Sequence, residues 1–370
     1  MKPVARICSL MSTKPLDLRV LKQQLEAHLS RLAQSATPKE THNPLKLELL
    51  AHGEANVIFR LNQTTLVRVA VNTPNQRFAG DVRRVTQFER IILDYLKQTD
   101  IGHQLQAASL EPTEDFSYTF LITNYLEGGS LDYSRNHLQK CAQILAQLHR
   151  LPTIAGYEID RLLPTVPVIE QPLTLFYHEA KDYAQPYLDS PEAEPEIVEM
   201  LHAVLDKARS RLSAERLIEA YPHRCLVHSD HTYENWVIND RQAYLIDWEW
   251  AEIGSPAGDL GHFLSPVTVR RRQNYRLPVE DRAFFLQCYY DALEDVDLAH
   301  RIEHHFAAFG VYPAVRSFCW TAGYWITANR WYAEAKDSPS AVERMAGLEQ
   351  SRQQFPGLWR EVMEWLEEEV

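Results

Sequence analysis

Two apolar triplets, residues 236–238 (WVI) and 244–246 (YLI), enclose a polar stretch of chain, and Asn235 and Asp247 stand immediately outside them. Strand-like triplets this close in sequence pair as an antiparallel hairpin. If Ile238 faces Tyr244, the register carries outward and sets Asn235 directly opposite Asp247, about 5 Å apart at their α-carbons. An amide oxygen and a carboxylate then face one point. Such a hard-oxygen pair suits Mg²⁺, which takes few protein ligands and completes its octahedron with water and substrate phosphates. Asp230 lies on the loop that enters the hairpin, where its carboxylate can receive a proton from an attacking hydroxyl.

The rest of the chain divides by texture. Apolar residues at helical spacing (Leu18, Leu21, Leu25, Leu29, Leu32) predict an amphipathic helix before a polar linker over 34–43, and this N-terminal stretch reads as an appendage. From Leu45 the pattern turns to short β segments, 47–51, 57–61 and 66–71, followed by a helix over 82–96 and a buried strand over 116–125. Beyond Gly128-Gly129 the chain reads as mostly helical, over 138–151, 173–187, 195–220 and about four stretches after Val279, interrupted by the β triplets near the hairpin and at 225–227. With 45% hydrophobic residues spread along 370 positions, a large core is expected and disorder is excluded as the main state.

Charge narrows the partners. The formal net charge is -12, which argues against a dedicated nucleic-acid binder. Half of it falls in residues 226–262, where Asp230, Glu234, Asp240, Asp247, Glu249, Glu252 and Asp259 are set against Arg241 alone. Five scattered cysteines without CxxC spacing fit a reducing compartment, and no signal-peptide core or membrane-length apolar run appears, so a cytoplasmic protein is expected. His304 and His305, adjacent on a helix, read as surface residues. The oligomeric state is not encoded in any of these features.

Read as one string, the hairpin segment is His228-x-Asp230-x-x-x-x-Asn235, then Asp247 after Leu245-Ile246, then Gly254-x-Pro256-x-x-Asp259. It closely resembles the aminoglycoside phosphotransferase and choline kinase superfamily, whose fold is similar to that of protein kinases; the resemblance covers roughly residues 45–335. It implies an α+β, two-lobed, protein-kinase-like fold with a small antiparallel-sheet lobe and a larger, mostly helical lobe. The corresponding domains are an N-terminal helical extension and linker (1–44), a nucleotide-binding lobe (45–127) and a catalytic and substrate-binding lobe (128–370). It further implies ATP and Mg²⁺ as cofactors, Asp230 as catalytic base, Asn235 and Asp247 as metal ligands, His228 as a brace of the loop, and Asp259 as a structural acceptor for loop backbone.

In the smaller lobe, Gly53-Glu54-Ala55-Asn56 takes the place of the phosphate-covering loop, with Gly53 and Asn56 as candidate nucleotide contacts, although it is poor in glycine. Arg68 alternates away from Val67, Val69 and Val71, on the face where a cation can reach phosphate. The family more often has lysine there. Glu89, on the predicted helix 82–96, is the expected ion-pair partner. The string LITNYLEGG (121–129) resembles the hinge, where backbone of Asn124 and Leu126 would meet the adenine edge.

The segment Trp248-Glu249-Trp250-Ala251 with Asp259-Leu260-Gly261-His262-Phe263 resembles the choline kinase version more than the aminoglycoside one. Glu249, Trp250, Trp320 and Trp325 are candidate substrate contacts, because acids and aromatic faces together suit a cationic amino alcohol or amino sugar; Tyr324, Trp331 and Tyr332 lie on the same helical stretch. The resulting expectation is an ATP- and Mg²⁺-dependent kinase of a small-molecule hydroxyl. Its alternatives are a non-catalytic nucleotide-binding regulator on the same fold, favoured by Arg68 and the glycine-poor loop, and a protein kinase.

Overall fold

The computed structural model describes residues 16–36, 45–53, 55–73, 75–272, 274–334 and 339–368. The chain separates into two compact units, residues 1–127 and 128–370.

In the first unit a helix, α1 (Leu18–Ala36), precedes β1 (Glu48–His52), β2 (Asn56–Asn62) and β3 (Thr65–Ala70); α2 (Val82–Leu96) follows, then β4 (Leu105–Ser109) and β5 (Thr119–Asn124). The strands form one antiparallel sheet in the order β1-β2-β3-β5-β4. Strand β4, rich in small and polar residues (LQAAS), carries no alternation that marks it in sequence. Period-two alternation decides what each face of β3 does: Val67 and Val69 turn one way and Arg68 the other.

The valine face is covered by α1, whose Leu21, Leu25 and Leu29 pack with Leu47, Val57, Phe59, Phe116 and Phe120 in one cluster. The helix is therefore part of this unit's core and not an appendage. The linker expected over 34–43 lies largely outside the described residues. Helix α2 is capped by Asp81, whose side chain accepts from Arg83 N at 3.0 Å. It is tied to β5 through the buried Thr86–Thr119 hydroxyl contact of 2.7 Å.

The second unit is mostly helical. Helices α3 (Arg135–Arg150), α4 (Pro172–Leu188), α5 (Pro195–Ser210) and α6 (Glu215–Ala220) come before the β island, and α7 (Pro256–Leu264), α8 (Pro266–Arg270), α9 (Val279–Leu293), α10 (Val296–Phe309), α11 (Tyr312–Glu334) and α12 (Pro339–Glu367) after it. The single helix expected over 195–220 breaks into α5 and α6 at a short 3₁₀ turn, Leu212–Ala214. The island comprises β6 (Cys225–Val227) paired with β9 (Glu252–Gly254), and β7 (Trp236–Ile238) paired with β8 (Ala243–Leu245).

Two glycines permit the close approaches this needs. Gly128 lies where a Cβ would come within 2.6 Å of the Ile238 carbonyl oxygen, and its neighbour Gly129 exchanges both backbone hydrogen bonds with Ile238. Gly261 lets α7 lie against α10, since a Cβ there would meet the Gly310 carbonyl oxygen at 2.1 Å. Among the described residues, no helix is long and apolar enough to cross a membrane.

Leu25 is wholly buried whereas Leu32, two turns on, is half exposed. Leu25→Ala is expected to lower unfolding free energy by about 2–5 kcal/mol and Leu32→Ala by less than ~0.5 kcal/mol, measured by urea denaturation. Equal, small effects would return α1 to the status of an appendage.

Candidate active site

The loop joining β6 to β7 is shaped by a carboxylate behind it. Asp259 sits in the first turn of α7, a helix started by Ser255 as cap and Pro256 at its first position. It is inaccessible to solvent, and its two oxygens accept from the backbone N–H groups of His228 (2.9 Å) and Ser229 (2.8 Å). The loop can bend toward it because Ser229 adopts φ +67°, a left-handed conformation. Two imidazoles complete the shell: His149 Nε2 at 3.1 Å and His231 Nε2 at 2.9 Å, the latter in ion-pair distance but poorly aligned for a hydrogen bond. Burial alone would push this carboxyl up. The nearby His231 and the hydrogen bond from His149 outweigh burial and hold it well below the usual range.

His228 braces the loop from the other side. Its Nε2 donates to the Ile246 carbonyl oxygen at 2.8 Å, and its Nδ1 accepts from Asp230 N at 3.3 Å. That pattern requires the neutral ring, in agreement with a pKa pulled down to about 4 by burial and then by His231. Trp248 packs edge-on against it, ring centroids 4.6 Å apart.

Asp230 and Asn235 are brought together. Asn235 Nδ2 donates to Asp230 Oδ2 at 2.9 Å and to the Asp230 carbonyl oxygen at 3.0 Å. With its donors used, the amide is left with Oδ1, which has no partner among the described residues. Burial raises the Asp230 carboxyl above its ordinary value; Arg271 opposes that, and Asp247 adds to it.

Asp247 itself corrects the expected register. Ile238 pairs with Ala243 and Trp236 with Leu245, so the strand is Ala243–Leu245 and Asn235 meets Ile246, whose N–H donates to the Asn235 carbonyl oxygen at 3.1 Å. The cause is the turn: Asn239 Oδ1 accepts from Arg241 N and Gln242 N, and Asn239 N donates to the Gln242 carbonyl oxygen, closing the loop one residue earlier. Asp247 then lies one step past the paired positions at φ +68°, at the head of the short turn Trp248–Trp250. It remains near enough to act on both Asp230 and His228. The Asn235 amide oxygen and the Asp247 carboxylate are the hard donors that Mg²⁺ takes, so this donor set fits the ion.

In the first unit Arg68 Nη1 meets Glu89 Oε1 at 2.6 Å, with the glutamate side chain 4% exposed. The Gly53 N–H is spent on the Asn56 carbonyl oxygen (3.0 Å), and a Cβ on Gly53 would meet only ordinary contacts; Glu54 lies outside the described residues. Asn56 itself is buried in β2 opposite Ala70. At the hinge string, Asn124 N donates to Gln104 and its carbonyl oxygen accepts from His103 Nδ1 at 3.0 Å. That carbonyl keeps a second lone pair, but its N–H is taken. Leu126 makes no such contact among the described residues.

The proposed substrate contacts separate. Trp325 is core: 1% exposed, its Nε1 donates to Ser351 Oγ and its ring meets Phe355 at 4.8 Å. Burial there removes it as a substrate contact. Glu249 is buried and Trp250 half-buried. Trp320 is exposed and stacks on Tyr324 at 4.7 Å; the side chains of Trp331 and Tyr332 lie outside the described residues. His305 is not a surface residue, being wholly buried between Ser255 Oγ (2.9 Å) and the Tyr221 carbonyl oxygen (2.7 Å).

Some residues at the site carried no sequence signal, and Glu252 and His262 were noted only within longer strings. His149 comes from α3, and the Glu252 carboxylate, His262 and Arg316 line a pocket with Ser229 next to the loop. Their partners lie far along the chain, so no spacing motif marks them.

The family model described as phosphotransferase enzyme family (APH) matches residues 46–289. No curated protein matches the chain. Among solved structures, a putative aminoglycoside phosphotransferase from Ralstonia eutropha superposes with a TM-score of 0.57 at 16% identity, over 92% of this chain and 98% of that one. The Plasmodium vivax ethanolamine kinase gives 0.56 at 14% identity, over 92% and 90%. The GDP complex of an aminoglycoside 2'-phosphotransferase gives 0.52 at 16% identity, over 90% and 99%. At such identities the likeness carries the fold.

Burial also lowers the pKa of His103, His149, His223, His262 and His305. Each is near 6.5 when unfolded and lower when folded, to about 4 for His103, His228 and His305. The unfolded chain therefore binds more protons as pH falls from about 6.5 toward 4, and stability is lost across that window. Urea unfolding should give a free energy lower by at least ~3 kcal/mol at pH ~5 than at pH ~7.5, at up to ~1.4 kcal/mol per group per pH unit. A flat profile would contradict the buried, neutral histidines.

Proposed function

The chain belongs to the phosphotransferase enzyme family, and from that premise we propose that it transfers phosphate from ATP to a hydroxyl of a small cationic molecule, with Asp230 as the base. The observation that carries the reading is the Asp230–Asn235 contact on a loop clamped by Asp259. A carboxylate whose pKa is raised by burial is a stronger base for an alcohol than an exposed one. Asn235 fixes one of its oxygens, leaving the other for the acceptor's proton. Asn235 Oδ1 and Asp247 are the proposed Mg²⁺ ligands; the ion, when bound, neutralises phosphate charge. The small unit is proposed to hold the nucleotide, with Arg68, oriented by Glu89, on its phosphates and the Leu126 backbone on the base. His228 and Asp259 position the loop and touch no substrate.

A cationic acceptor is supported by the exposed Trp320–Tyr324 pair, whose ring faces suit an ammonium group. The structural relative described as an ethanolamine kinase supports such an acceptor. Cysteines without disulfides among the described residues, together with ATP as donor, support a cytoplasmic location.

The test is labelled ATP and Mg²⁺ with pooled amino alcohols, amino sugars, neutral sugars and a generic protein acceptor. Transfer to a cationic acceptor is expected, with a Michaelis constant that rises with ionic strength. Asp230→Asn should lower turnover by about 10²–10⁴ while nucleotide still binds. Tight nucleotide binding without transfer to any acceptor would instead favour the regulator reading.

Two variants separate the cofactor contacts. Asp247→Ala should weaken Mg²⁺-dependent nucleotide binding. Arg68→Ala should cost about tenfold or more in kcat/KM for ATP, the scale of a lost charge-assisted hydrogen bond, with partial recovery in Arg68→Lys. Unchanged magnesium titrations in the first, or unchanged ATP kinetics in the second, would remove that residue from the site.

A further inference from the structure

The histidines discussed so far serve the interior or the loop; His300 and His304 do neither. They stand one turn apart on α10, His300 exposed and His304 half-buried, and their Nε2 atoms approach to 3.1 Å. Tyr221, just after α6, fixes both rings: it lies flat on His304 (centroids 4.0 Å, 11° between planes) and edge-on to His300 (5.8 Å, 83°). Tyr221 is in turn anchored through its carbonyl oxygen, which accepts from the buried His305. The two imidazoles cross at 77°, their ring centroids 4.4 Å apart.

We propose that His300 and His304 form a two-nitrogen binding site for a divalent transition-metal ion on the outer face of α10. The i, i+4 spacing places both side chains on one helical face. Ligand nitrogens about 2.0–2.1 Å from a metal lie roughly 3.3 Å apart at a tetrahedral centre and roughly 2.9 Å apart at a right angle. The observed separation falls between the two. Because Tyr221 already orders the rings, little side-chain entropy is left to lose on binding.

A shared N–H between neutral rings also meets the distance, and a metal would displace that proton. No third His, Cys, Asp or Glu completes the site among the described residues, so water fills the remaining positions and the affinity is modest. Imidazole nitrogen selects Zn²⁺, Ni²⁺ or Cu²⁺ over Mg²⁺, so the site is chemically separate from the oxygen donors of Asn235 and Asp247.

The full chain, in excess Mg²⁺, should be titrated calorimetrically with Zn²⁺, Ni²⁺ and Cu²⁺. One equivalent is expected to bind, Cu²⁺ most tightly, and His300→Ala or His304→Ala should each weaken it at least about tenfold. Zn²⁺ should also raise the melting temperature of the unsubstituted chain and not that of His300→Ala, a variant at an exposed position that leaves the core intact. Absence of binding by the unsubstituted chain, or equal binding and equal thermal shifts in the variants, would overturn the site.

Discussion

A single buried carboxylate organises the candidate site. Asp259 draws two consecutive backbone N–H groups toward α7 and so supports the left-handed bend at Ser229, while His228 ties the same loop to the Ile246 carbonyl oxygen. An ionised group with no solvent access is tolerated only when it is hydrogen-bonded or paired, and here two amides and His149 donate to it while His231 stands at ion-pair distance. His149 carries the tie further, since its Nδ1 meets the Tyr289 hydroxyl at 2.8 Å, so α3, α7 and α9 all converge on the loop. The position of the proposed base is thus inherited from helix packing.

The features legible in sequence are those whose partners are near or whose period is strict. The alternation in β3 separated Arg68 from its valine neighbours, and the structure forms the Arg68–Glu89 ion pair. The three β triplets of the island appear as strands, one of them shifted by a residue. That shift shows what alternation cannot decide: the hydrogen bonds of Asn239 set the turn, and the turn sets the register. Strand β4 was invisible because its stability comes from pairing with β5 and not from its own residues. Trp325 and His305 were misjudged for a related reason. A helical stretch shows that aromatic and polar side chains lie along it, but which face is buried depends on helices that arrive from elsewhere in the chain.

Charge is the property that sequence proximity distorts most. Residues 226–262 are strongly acidic as a string, yet Asp259 faces histidines in the interior, and Asp230 lies within the field of Arg271. Arg316 also reaches the pocket that Ser229 and Glu252 line, although it is paired with Glu179 at 3.0 Å and lies over the Phe176 ring at 4.0 Å. The field at the site is accordingly less negative than the segment's composition, and the proposed cationic acceptor rests on the exposed aromatic pair.

Asn235 shows why this position suits an amide. Its Nδ2 holds Asp230 from two directions and thereby leaves Oδ1 as a hard donor. A carboxylate at the same place would supply oxygen but no N–H, and it would set a second negative charge against a carboxyl that burial and Asp247 already push upward. The proposed base, which has to be ionised to take a proton, cannot accept that further rise without losing the population that reacts. The amide therefore meets two demands with one side chain: it stabilises the ionised form of Asp230 through a hydrogen bond and keeps an uncharged oxygen for the proposed Mg²⁺.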